Sequence, residues 1–264
     1  MQHLPSALRE RLNDYSFERV VLGESGATVV RCTAASRETL YLKSAPLDSG
    51  VELEQEAARM RWMAARGLPV PQVENYTCAD DVEYLLTSAV RGTAASDTHW
   101  SSHAAAVVGA LGKFLARLHR TGIDDCPFDH RAAREIERAW VRVLRGHVDA
   151  DDFDEERRGR SPTDLFDELC ARVPDHEDVV FTHGDFCPPN IILDRDRPGD
   201  VRVTGLIDCG RAGIADRHQD LALGMRSIAY NFGREWVTPF LEAYGMPAPV
   251  QAKVEFYLLL DEFF

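Results

Sequence analysis

The sequence predicts an α+β chain in two parts, a short strand-rich N-terminal part followed by a longer helical one. Two observations carry this reading. Up to Ser88, short β-branched and aromatic runs alternate with turn residues, as strands do. From Val107 onward, apolar residues recur three and four apart, as on one face of a helix. The change falls within 90–96, which puts one region at 1–92 and the other at 93–264.

The elements follow in order. Val20-Val21-Leu22 and Thr28 to Cys32 read as two strands around the turn Gly23-Glu24-Ser25-Gly26, and Leu40-Tyr41-Leu42-Lys43 as a third. Glu52 to Ala65 is rich in helix formers and stops before Gly67, with Pro69 and Pro71 beyond. Tyr84 to Ser88 reads as a further strand, running into Arg91-Gly92-Thr93 as a linker. Val107, Leu111, Phe114 and Leu118 then define a helix, and Ile136, Trp140, Val143 and Leu144 define a second. Three more are marked by Leu221, Met225 and Ile228, by Trp236, Phe240 and Tyr244, and by Val254, Tyr257, Leu258 and Leu260. No internal repeat interrupts the pattern.

Composition narrows the function class. The formal charge is −13, which opposes a nucleic-acid surface and suits a cationic partner. No apolar run reaches transmembrane length, and residues 2–10 are mixed, so neither a membrane span nor a signal peptide is expected. The six cysteines contain no C-x-x-C pair and read as reduced thiols of a cytoplasmic protein. Nothing in the composition identifies a protein partner.

Chemistry concentrates in His183-Gly184-Asp185-Phe186-Cys187-Pro188-Pro189-Asn190, with Asp208 eighteen residues beyond Asn190. Between them Val201 to Ile207 reads as a strand delivering Asp208 at its end. A carboxylate, an amide five residues later and a second carboxylate at a strand tip suit phosphoryl transfer. Asp185 would accept a hydroxyl proton, while Asn190 and Asp208 would hold Mg²⁺ against nucleotide phosphates. The spacing is that of the catalytic loop and later metal-binding Asp of protein kinases. A small β-rich lobe joined to a larger helical lobe carrying this loop is the architecture of a bilobal protein-kinase-like fold. Lys43, on a strand after a glycine-bearing turn, is placed to meet the α- and β-phosphates, with a glutamate of the next helix to hold it. Spacing alone leaves Glu52, Glu54 and Glu56 open as that partner. Gly23-x-x-Gly26 departs from the G-x-G-x-x-G of protein kinases; Ser25 and its neighbouring N–H groups are the candidate phosphate donors. His183 and Asp220 read as braces of the loop rather than as reacting groups.

The stretch Gly205-Leu-Ile-Asp-Cys-Gly-Arg-Ala-Gly-Ile-Ala-Asp-Arg217, the pair Gln219-Asp220 and the ending Leu259-Leu-Asp-Glu-Phe-Phe264 resemble the aminoglycoside 3'-phosphotransferases. The resemblance runs from about Val20 to Phe264. It implies an ATP-dependent enzyme that moves the γ-phosphate to the 3'-hydroxyl of kanamycin- and neomycin-type antibiotics and so confers resistance. It selects Glu56 as the partner of Lys43, and places the adenine on Tyr41 with the backbone around Ser88 and Val90. The acidic run Asp149 to Glu156 resembles the family's substrate-covering segment, with Asp151, Asp154 and Glu155 as candidate contacts to ammonium groups. Asp261, Glu262 and the Phe264 carboxylate are placed at the same pocket, with Arg211 ordering them.

Two rivals stand beside this reading. A choline-, homoserine- or sugar-type kinase would share the loop, but not the acidic run or the Leu-Leu-Asp-Glu-Phe-Phe ending. A nucleotide-binding pseudokinase would be expected to lose one of Lys43, Asp185, Asn190 or Asp208, and all four are present.

Overall fold

A computed structural model describes residues 4–20, 26–195 and 200–264. The chain divides into two compact units, 1–91 and 92–264.

The first unit is a five-stranded antiparallel sheet with two helices. In chain order come α1 (Ser6–Arg11), β1 (Ser16–Val20), β2 (Thr28–Ala34), β3 (Arg37–Pro46), α2 (Leu53–Ala65), β4 (Val73–Ala79) and β5 (Val82–Ser88). The strand order is β1-β2-β3-β5-β4. Leu40 and Leu42 of β3 join Leu8, Leu12, Tyr15, Cys32, Tyr84 and Leu86 in one core. Successive strand residues face opposite ways, so Tyr41 and Lys43 lie on the other face of β3. The β4–β5 hairpin turns at Asp80 and Asp81, both at positive φ (51° and 58°), as a tight two-residue turn requires.

Several boundaries differ from the pattern-based expectation. The first strand runs Ser16–Val20 rather than Val20–Leu22; Val21 and Leu22 lie outside the described residues, as do Gly23, Glu24 and Ser25. Strand β4 reads Val-Glu-Asn-Tyr-Thr-Cys-Ala and sits at the sheet edge, where side chains need not be apolar, so periodicity does not announce it. The expected linker at Arg91-Gly92-Thr93 is partly paired structure.

The second unit opens with β6 (Thr93–Ala94), then α3 (Ala104–Leu118), α4 (Ala132–Arg145), α5 (Pro162–Ala171), β7 (Val179–Thr182), β8 (Ile191–Arg195), β9 (Val201–Leu206), β10 (Gly213–Asp216), α6 (His218–Phe232), α7 (Val237–Tyr244) and α8 (Gln251–Asp261). Strands β6, β8 and β9 form one small sheet, and β7 and β10 another. Gly92 precedes β6 at φ 122°, and a Cβ there would stand 2.2 Å from the Leu193 carbonyl oxygen. Helix α8 is at the centre of this unit's core: Phe256, Tyr257, Leu259 and Leu260 pack with Ala139, Leu165, Leu169 and Phe263.

Helix α4 turns a different face inward from the one its apolar residues suggest. Ile136 and Val143 pack on the core, but Leu144 is 67% exposed and Trp140 stacks outward on Phe166 at 4.7 Å between ring centroids. Trp236 belongs to a short 3₁₀ turn ahead of α7 rather than to the helix itself. All six cysteines are free thiols. Among the described residues no helix is long and apolar enough to cross a membrane.

The approach of α3 to α7 depends on a missing side chain. A Cβ on Gly112 would lie 2.6 Å from Phe240 O and 2.8 Å from Ala243 Cβ, whereas one on Gly109, a turn earlier, meets nothing within 4 Å. Gly112→Ala should therefore cost about 1–3 kcal/mol through overpacking, and Gly109→Ala should stabilise by about 0.5–1 kcal/mol through helix propensity. Thermal or urea melts of the two variants check this; equal melting temperatures would contradict the packing argument.

Candidate active site

The site is assembled from backbone pairing first. Ile191 pairs with Leu206, and Ile207 N–H donates to Asn190 O at 2.9 Å. Asn190 and Asp208 are thereby set side by side at one end of the β8–β9 hairpin. Asp208 adopts φ 56°, ψ 57°, a left-handed conformation uncommon for a residue with a side chain. The loop before β8 curls through a 3₁₀ turn at Pro188–Asn190, so Asn190 returns toward Asp185. Its Nδ2 donates to Asp185 Oδ2 at 2.6 Å and to Asp185 O at 3.2 Å. That leaves the Asn190 amide oxygen as a hard donor for a cation, with Asp208 next in the chain to Ile207, the residue bonded to the Asn190 backbone. Oxygen donors of this kind fit Mg²⁺ bound together with phosphates.

Asp185 is held at its other oxygen too: the Cys187 thiol donates to Oδ1 at 3.0 Å. His183 supports the loop from below. Its Nε2 faces Ile207 O at 3.1 Å and must donate, so Nδ1 accepts the Asp185 N–H at 3.3 Å. Beneath it Asp220, wholly buried, accepts from His183 N and Gly184 N at 2.8 Å each and lies 3.1 Å from His119 Nε2. His119 Nδ1 meets the Tyr244 hydroxyl at 2.8 Å, and Gln219 Nε2 donates to Gly184 O at 3.2 Å. Gly184 sits at φ 85°, and a Cβ there would be 2.1 Å from Arg211 O, so only glycine fits.

In the first unit, Lys43 Nζ pairs with Glu56 Oε2 at 2.9 Å, with the side chains 15% and 6% exposed. Helix α2 is anchored for this pairing. Glu83 of β5, buried, accepts from the N–H groups of Leu53 and Glu54 at the start of the helix. That fixes the first turn, with Glu56 directed at β3, and removes the ambiguity with Glu52 and Glu54. Tyr41 pairs with Thr87 across β3 and β5. The Ser88 N–H is bonded to Gln72 O and its hydroxyl accepts from Gln72 N, both at 2.9 Å. Val90 lies two residues past β5 and is half-buried.

The acidic candidates separate into two groups. Asp154, Asp261 and Glu262 converge, and three arginines meet them. Arg211 Nη1 binds Asp261 Oδ1 at 2.6 Å, Arg226 binds Asp261 and lies 3.4 Å from Asp154, and Arg157 Nη1 binds Glu262 Oε1 at 2.8 Å. Asp154 N–H also donates to Glu262 Oε2 at 3.1 Å. Asp151 and Glu155 stay exposed on the surface of the run, and their carboxylates meet no cation among the described residues. The Phe264 ring lies 5.0 Å from the Arg211 guanidinium. Burial opposes ionisation of Asp261, but Arg211 and Arg226 outweigh it and hold the carboxyl below its ordinary range. Glu262 goes the other way: burial, then the Asp154 charge beside it, push it up to about 7.

Sequence reasoning missed Arg226, Cys187, His119 and Tyr244. Arg226 offered the one available signal, a cation following the run Leu221 to Met225 of α6. The other three are unremarkable until tertiary contacts define their neighbours.

Comparison with known proteins agrees with this geometry. The model of the phosphotransferase enzyme family matches residues 16–257. An aminoglycoside 3'-phosphotransferase of Streptomyces fradiae is 40% identical over 98% of this chain and 99% of its own. A streptomycin 3''-kinase of Streptomyces griseus is 36% identical over 92% of this chain and 90% of its own. The crystal structure of an aminoglycoside-3'-phosphotransferase of type VIII superposes with a TM-score of 0.87 at 41% identity, covering 98% of this chain and 97% of that one. With a match of sequence and fold over nearly its whole length, the chain belongs to the phosphotransferase enzyme family, among its aminoglycoside 3'-phosphotransferases.

Proposed function

We propose that this protein transfers the γ-phosphate of ATP to the 3'-hydroxyl of kanamycin- and neomycin-type aminoglycosides, with Asp185 as the group that receives or orients the hydroxyl proton. The observation that carries the reading is the Asp185 carboxylate fixed by Asn190 at one oxygen, with Asp208 beside Asn190. A carboxylate held in one orientation can align a sugar hydroxyl for in-line attack, and phosphoryl transfer depends mainly on such positioning.

Asn190 Oδ1 and Asp208 would hold Mg²⁺, which when bound offsets negative charge on the nucleotide phosphates. Lys43, held by Glu56, donates to the α- and β-phosphates, with Tyr41 as the adenine platform and Ser88 and Val90 as its backbone contacts. Because the Ser88 N–H and hydroxyl are engaged by Gln72, an adenine contact at Ser88 uses its carbonyl. Ser25, the candidate phosphate donor, lies outside the described residues. Asp154, Asp261 and Glu262 receive the ammonium groups of the drug, and Asp151 and Glu155 form an outer ring that attracts them. Arg211 and Phe264 shape the floor of this subsite.

The streptomycin 3''-kinase likeness favours one alternative, transfer to a 3''-hydroxyl. Turnover of MgATP with kanamycin, 3'-deoxy tobramycin and streptomycin separates the two. Phosphorylation of kanamycin but neither of the others supports the 3' reading; streptomycin turnover alone supports the alternative. Asp185→Ala should lower kcat by about 10²–10⁴-fold while MgATP still binds, as isothermal titration would report. A variant keeping a tenth of wild-type kcat would defeat the role of Asp185.

Glu262 adds a pH dependence. With its carboxyl pushed up to about 7, it is neutral below that pH and anionic above it. The KM for kanamycin should accordingly fall by about tenfold as pH rises from 6 to 8. Glu262→Gln should flatten that slope, which also separates it from titration of the drug's own amines. Parallel profiles for wild type and variant would remove Glu262 from substrate binding.

A further inference from the structure

Asp185 is pinned from both sides, and only one of its two donors belongs to the expected catalytic set. Asn190 Nδ2 reaches Oδ2 at 2.6 Å, and the Cys187 thiol reaches Oδ1 at 3.0 Å. Leu223 O lies farther from the sulfur, at 3.9 Å, so the carboxylate is the closer of these two acceptors. The backbone holds this arrangement. Cys187 N–H donates to Asp185 O and Asn190 N–H donates to Cys187 O, each at 2.9 Å, so the turn that carries the thiol is fixed at its backbone. Cys187 is extended, at φ −115° and ψ 145°, and its sulfur lies within hydrogen-bonding reach of the Ser227 hydroxyl on α6.

We propose that Cys187 is a positioning residue for phosphoryl transfer, its thiol fixing the rotation of the Asp185 carboxylate while leaving that carboxylate basic. This rests on the reading of Asp185 given above. A carboxylate bonded at one oxygen still turns about its Cβ–Cγ bond; one donor on each oxygen stops that motion. Each oxygen keeps a second lone pair for the substrate hydroxyl. The weakness of the donor is what suits it to this place. An ammonium or guanidinium would bind the carboxylate tightly and compete for the proton it must accept, whereas a neutral thiol orients it at little cost in basicity. Burial, then the Asp185 charge, raise the thiol well above its usual range, so it stays protonated and remains a donor at neutral pH.

The test compares Cys187→Ser, Cys187→Ala and Cys187→Val in the full-length protein, using kanamycin and MgATP. Serine keeps a donor; alanine and valine remove it, and valine preserves the volume in a backbone conformation that suits a β-branched residue. The expected pattern is kcat about tenfold lower for both Ala and Val, KM for both substrates within about twofold of wild type, and kcat for Ser within about threefold. Melting temperatures of Val and Ser should agree with wild type, which a packing role for the sulfur would not require of Ser. Undiminished kcat in Ala or Val, or an equal loss in Ser and Val, overturns the proposal. A loss expressed in KM alone also overturns it. Wild-type protein that phosphorylates no aminoglycoside instead overturns the reading on which the proposal rests.

Discussion

The geometry of the loop around Asp185 depends on Asp220, a carboxylate with no solvent exposure in the first turn of α6. Burying such a charge without partners is prohibitive, and here two backbone N–H groups and the His119 ring meet it. Its place near a helix N-terminus favours the same negative charge. Where the His183 and Gly184 N–H groups converge on this anion, the backbone turns left-handed, with φ 85° at Gly184. That turn brings Gly184 against the Arg211 carbonyl, which excludes every residue but glycine. Arg211 extends the linkage, since its side chain reaches Asp261. The catalytic loop and the acidic cluster thus share one residue, by its backbone on one side and its guanidinium on the other.

The acidic cluster is less bare than a list of its carboxylates suggests. Three arginines already sit among Asp154, Asp261 and Glu262, so these carboxylates are paired with guanidinium groups rather than bare. Burial and crowded carboxylates both raise a carboxyl's affinity for protons, and Glu262, buried first and beside Asp154 second, shows it. Asp261, with two arginines, shows the reverse. The overall charge of −13 would attract a polycation at long range, and under the proposed function the local pairs decide where each ammonium group docks.

Much of this was legible in the sequence, for identifiable reasons. Strands β3 and β5 and helices α2 and α3 are local patterns, fixed by periodicity, and the spacing of Asp185, Asn190 and Asp208 is local in the same way. The bracing roles of His183 and Asp220 also followed from position next to that set. What stayed hidden depends on long-range contacts. Edge strand β4 lacks an apolar face, and the outward Trp140 and Leu144 follow helical spacing yet meet Phe166 and solvent. His119 and Tyr244 are 125 residues apart and acquire meaning only when they meet. Within the acidic run, spacing could not separate Asp154 from Asp151 and Glu155; only Arg157, Arg226 and Glu262 do so.

Three aspartates of this unit carry the same functional group and have different fates, decided by the number and charge of their donors. Asp220 accepts three hydrogen bonds, two of them from backbone that cannot move, and has little capacity left for chemistry. Asp261 is bound by two guanidinium groups, which stabilise its charge and make it a fixed anion. Among the described residues Asp185 takes side-chain hydrogen bonds from a neutral amide and a neutral thiol, one on each oxygen, and the Arg211 charge acts on it without a hydrogen bond. It is oriented without being neutralised and retains lone pairs on both sides. In the proposed role, a group that accepts a proton from a substrate at each turnover needs that balance, and neither of the other two aspartates has it.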